Sequence, residues 1–87
     1  MSLFEEIRSK VPEKFHERED FVFLLDTLRL GVFDSKDEVI SLLDRDISKI
    51  NNWLSGNVMT GNIHEMALQM GKLTKLKGAK GYLEEYL

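Results

Sequence analysis

Cysteine is absent from this chain, which excludes a disulfide framework, a thiol nucleophile and a cysteine-based zinc site. No apolar run approaches the length that crosses a bilayer, and "MSLFEEIRSK" carries acids where a signal peptide needs basic residues. A cytoplasmic protein with no membrane association is therefore the expectation. Strand-like alternation, an internal repeat, a low-complexity tract and a Gly-rich phosphate loop are also missing. His16 and His64 each stand without a second ligand at a metal spacing, so neither a metal nor a cofactor is expected. Glu5-Glu6 and Glu84-Glu85 are adjacent pairs; on a helix they point in different directions, unlike the facing carboxylates of an acid–base site. With no Ser/His/Asp arrangement either, an enzyme is not expected.

What remains is one small domain of 87 residues with a net charge of −3. A chain of this length buries about 60 % of the surface its unfolded form exposes, so its stability is modest. The charge is uneven. Residues 1–44 hold six Lys/Arg against eleven Asp/Glu (net −5), and residues 45–87 hold six against four (net +2). The basic excess gathers in "KLTKLKGAK", where Lys72, Lys75, Lys77 and Lys80 have no acid among them. Such a run suits nucleic acid, and equally an ordinary solvated surface.

Helical periodicity runs almost throughout. Phe21, Leu24, Leu25 and Leu28 fall on one helical face, with Asp20 as the expected N-cap and Gly31 as the stop. Ser35 followed by Glu38 is a capping-box signature, opening a short helix that carries Val39, Ile40, Leu42 and Leu43. Asp46 is placed to cap the next one, with Ile47, Ile50, Trp53 and Leu54 apolar and Gly56-Asn57 as its end. Asn62 with Glu65 reads as a second box before a stripe of Ile63, Met66, Ala67, Met70 and Leu73, expected as core. "SLFEEIRSK" suits one short helix, Pro12 the first turn of another, and a break is expected near Glu19-Asp20. Gly78 and Gly81 are expected to loosen the C-terminus, so that "GYLEEYL" docks on the core or on a second subunit. The class is all-α.

Two short helices joined tightly at Asp44-Arg45, with a third after a polar link, describe a helix-turn-helix over residues 36–55. The segment resembles lambda-repressor-like (Xre-type) transcriptional regulators over about residues 20–73, with Asp37, Glu38, Val39, Leu43, Ile50, Trp53 and Gly56 in register. "MTGNIHEMALQMG" is similar to the family's fourth helix through Met66-Ala67 and Met70-Gly71. Four positions depart from the pattern: Ile40 replaces a small residue, Asp44 the turn glycine, Arg45 an apolar turn residue and Thr60 a proline. Asp tolerates the left-handed conformation better than most residues, which keeps a turn feasible.

The resemblance implies a five-helix domain; residues 1–87 are expected as a single domain, with residues 1–19 as an N-terminal extension that has no counterpart in the resemblance and 78–87 as a tail. It further implies a sequence-specific regulator, of repressor or antitoxin type, that inserts helix 46–55 into the major groove of double-stranded DNA as a homodimer. With Ile50, Trp53 and Leu54 facing inward, base readout would fall to Ile47, Ser48, Lys49, Asn51 and Asn52. Arg45, Asn57, Lys72, Lys75, Lys77 and Lys80 would contact phosphates. Ile47 suits packing under the first helix equally well. The tail is the candidate dimer surface, and a toxin or another regulator is a candidate partner. The rival expectation is a protein-interaction module that keeps the fold without binding DNA, consistent with the negative net charge.

Overall fold

A computed structural model describes residues 2–57 and 62–87; Thr60 and its neighbours in the polar link lie outside the described residues. Four α-helices and one short 3-10 turn make up the described chain: α1 (Leu3–Lys10), the turn Glu13–Phe15, α2 (Glu19–Leu30), α3 (Lys36–Asn57) and α4 (Ile63–Tyr86). The chain is all-helical, with four α-helices among the described residues rather than five. None of them is long and apolar enough to cross a membrane.

Local signals place most of the ends. Ser2 caps α1 by accepting from the Glu5 N–H, and α2 opens at Glu19 and stops at Gly31. Asp20 is not the cap of α2; it lies inside the first turn and accepts a hydrogen bond from the Tyr82 hydroxyl at 2.9 Å. Before α3, Ser35 accepts from the Glu38 N–H, while the Glu38 carboxylate reaches back to the Asp34 N–H at 3.1 Å. Asn62 caps α4 through the His64 N–H at 2.7 Å.

The expected helix-turn-helix is absent. Residues 36–57 form one unbroken helix, and no non-glycine residue among those described has positive φ. The reason lies in phase. Ile40, Leu43, Ile47, Ile50 and Leu54 alternate spacings of three and four across the supposed turn, so a single helix aligns them all. A left-handed Asp44 would cost about 1–2 kcal/mol, more than the roughly 0.7 kcal/mol penalty of Asp within a helix. Asp44 instead meets Lys80 of α4 at 2.7 Å, and Asp46 is a mid-helix residue rather than a cap.

α4 is the central helix, packed against α1, α2 and α3. Asp44 opposes Lys80, and Ile50 shares a hollow with Gln69 and Leu76, so α3 and α4 run antiparallel. The core joins Ile7 and Val11, Phe21, Leu24 and Leu28, Val39 and Leu43, and finally Leu76, Ala79 and Leu83. Residues 1–19 thus contribute core through Ile7 and Val11. At residue 16 the imidazole Nε2 donates to the Val11 carbonyl at 2.8 Å and stacks on Phe21.

Gly78 and Gly81 do not loosen the C-terminus. α4 runs through both, and a Cβ at Gly78 would overlap the Asp20 side chain; glycine here permits close approach of α2. Residues 78–87 belong to the fold itself, with Leu83 fully buried and Tyr82 edge-on to Phe21 at 5.2 Å. The dimer surface expected in that tail is occupied by the chain's own core. Burial and the Asp20 contact together push the Tyr82 hydroxyl up to about 12.

Candidate functional site

All core residues of α3 and α4 lie in one half of the pair. Leu43 is the last buried residue of α3 and Leu76 the first of α4. Beyond them, residues 44–57 and 62–75 include no buried side chain. These segments form an arm extending past the N-terminal end of α2, in a molecule measuring 46 × 26 × 21 Å. Ile47, Ile50, Trp53, Leu54, Met66 and Leu73 are half-buried. Ile63, Leu68 and Met70 are 81 %, 66 % and 57 % exposed. The stripe expected as core in α4 is therefore split: Met66 and Leu73 are half-buried, while Ile63, Ala67 and Met70 are exposed.

A hollow of about 470 Å³ marks where the third helix stops. Phe23 of α2 closes one end, Ile50 and Leu76 are apolar in it, and Asp46, Lys49 and Lys72 add charge. From there the open side of the α3–α4 pair continues outward. Trp53 lies one turn beyond Ile50, and Leu68 one turn beyond Lys72. A two-helix pair leaves one side of its apolar seam uncovered unless a further element packs on it. In the body α2 is that element, and its N-terminal half still lines hollows with Gln69, Gly71, Lys72, Thr74 and Lys75 at the base of the arm.

Of the proposed base-reading residues, Ile47 stands apart from the other four. Ser48, Lys49, Asn51 and Asn52 are exposed on the unbroken α3, whereas Ile47 is half-buried against the core. Lys49 also lines the hollow, and Ser48 and Lys49 each lie one turn before Asn52. Among the phosphate candidates, Asn57 donates through Nδ2 to the Trp53 carbonyl at 2.7 Å. Lys80 is engaged by Asp44, whose hydrogen bond holds its ammonium above the ordinary lysine range. Arg45 lies in a shallow hollow with Phe33, Asp37 and Glu38. Lys72 and Lys75 line the arm's hollow, and Lys77 is exposed. The lysine run is thus distributed around α4 rather than gathered on one side.

Sequence reasoning missed Phe23, which lines the hollow, and the exposed Leu68. Leu68 falls outside the stripe of Ile63, Met66, Ala67, Met70 and Leu73. The available signal was its position between Glu65 and Lys72, a pattern of opposite charges flanking an apolar residue. No group of three or more metal-ligating side chains occurs among the described residues. Comparison with protein-family models, curated proteins and solved structures found no significant match.

Proposed function

We propose that this chain is a protein-interaction module whose binding element is the α3–α4 arm. The observation carrying this reading is the arm's lack of any buried residue together with the exposure of Leu68, Met70 and Ile63. Isolated helices of about 12 residues are marginal in water; the arm exposes Leu68 on one side of α4 and Ile63 with Met70 on another. Site-specific photo-crosslinking tests it, with a photoreactive residue in place of Leu68 and, as control, in place of Glu13 outside the arm. In the chain's native cells a discrete protein adduct should form from position 68 and not from position 13. The absence of any adduct at position 68 would sink the reading.

A second reading, a DNA-binding regulator, is supported by the outer side of α3. Arg45, Ser48, Lys49, Asn51 and Asn52 are exposed, and Asp46, the one acid of residues 45–57, is half-buried. It requires the flank of an unbroken helix to enter the groove. Anisotropy with a randomised duplex library should then show binding that falls steeply with salt and is lost in Asn51→Ala/Asn52→Ala. Binding that is absent at low salt rules this reading out.

A further inference from the structure

We infer that the partner of the arm is a second copy of this chain, docked antiparallel along α4 about a two-fold axis beside Leu68. This rests on the protein-interaction reading above and specifies its occupant.

Three observations lead there. First, Glu65, Leu68 and Lys72 fall at i, i+3 and i+7 and share one helical face, and Lys72 places that face on the open hollow with Ile50. All three are exposed, and neither charge forms an ion pair among the described residues. Second, the face is complementary to itself. Antiparallel superposition about the point between Leu68 and Gln69 sets Glu65 opposite Lys72 and Lys72 opposite Glu65, with the two Leu68 side chains adjacent at the centre. A two-fold interface demands this kind of self-complementarity, because one patch must serve both partners. Parallel stacking would instead oppose like charges. Third, the size sets the strength. Two adjacent helices, each about 10 Å across and about 17 Å long, present roughly 350 Å² in projection, or about 700 Å² over both partners. That is less than the roughly 1,200–2,000 Å² of stable complexes, so the pairing is weak and concentration-dependent. The half-buried Trp53 and Ile50 would come under cover as the two pairs form a four-helix layer.

The chain's single tryptophan, Trp53, supplies a local readout. Sedimentation equilibrium over a wide concentration range should show a monomer–dimer equilibrium, with Trp53 emission shifting to the blue as dimer forms. Glu65→Lys or Lys72→Glu turns both attractive pairs into repulsive ones and should weaken association by about tenfold or more. Both positions are exposed, so circular dichroism should remain native. Mixing the two variants restores opposite charges at both pairs and should restore dimerisation, which neither variant alone achieves. Failure of the mixture to dimerise, or a wild-type chain that stays monomeric at about 1 mM, overturns the inference. The adduct from position 68 separates the two claims. A mass of twice the chain supports the second copy; any other protein mass overturns it and leaves the interaction reading standing.

Discussion

The two halves of α4 have opposite surroundings. From Leu76 to Leu83 the helix is enclosed by α1, α2 and α3; from Ile63 to Lys75 it has no buried residue, and α2 reaches it only along the hollows that Gln69, Gly71, Lys72, Thr74 and Lys75 line. The same contrast appears among its glycines. Gly78 is pressed against Asp20, whereas a Cβ at Gly71 would meet nothing within 4 Å. One continuous helix thus serves as the centre of a core at one end and as half of an open surface at the other. Helix formation and helix burial are separate requirements, and this chain meets the first over a greater length than the second.

Truncation should expose the contrast most strongly. Leu83→Ala, in the enclosed half, should cost about 2–5 kcal/mol in urea denaturation, whereas Leu54→Ala on the arm should cost about 1 kcal/mol. Equal losses would mean that the arm is as tightly packed as the body. Next, Asp44→Pro tests the continuity joining the two regions. Within an unbroken α3 it should destabilise by about 3 kcal/mol or more; a thermal midpoint left unchanged would restore the turn between two short helices.

The glycines give a smaller effect of opposite sign. Gly78→Ala should destabilise by about 1–3 kcal/mol through overlap with Asp20, while Gly71→Ala should stabilise by about 1 kcal/mol through helix propensity. Two shifts of the same sign would remove the distinction between the halves. The smallest effect is confined to alkaline pH. The Tyr82 hydroxyl titrates higher in the folded chain than in the unfolded one, reaching about 12. Its stabilisation is therefore present below about pH 10 and lost as pH rises towards 12. Tyr82→Phe should flatten the decline of the melting temperature across that window, and an unchanged slope would remove Tyr82 from its cause.

Much of the body, and the start of the arm's second helix, is legible in the sequence. The apolar spacing of Phe21, Leu24 and Leu28, the Gly31 stop and the Ser35 and Asn62 caps are local signals, and local backbone chemistry governs those positions. The arm is less legible, because what shapes it is non-local. Asp44-Arg45 resembles a turn when matched to a family pattern, yet the three-and-four spacing from Ile40 to Leu54 passes through it without a break. Likewise Gly78 looks like a hinge until Asp20 is known to lie against it, and only the position of α2 distinguishes a close approach from flexibility. Ile63 and Met70 have the spacing of core residues, but periodicity cannot supply the helix that would cover them. The candidate site is an absence of packing, which no single segment encodes.

The passage of α4 through both regions without a joint has a further consequence: the chain behaves as a ruler. Its arm cannot swing against its body unless a helix breaks, so whatever grips the tip also sets the distance and direction of the other end. In an antiparallel pair the two bodies would face away from each other at a separation determined by the number of residues in each arm. Inserting seven residues into α3 and seven at the matching level of α4 would preserve the facing seams and move each body outward by about 10 Å.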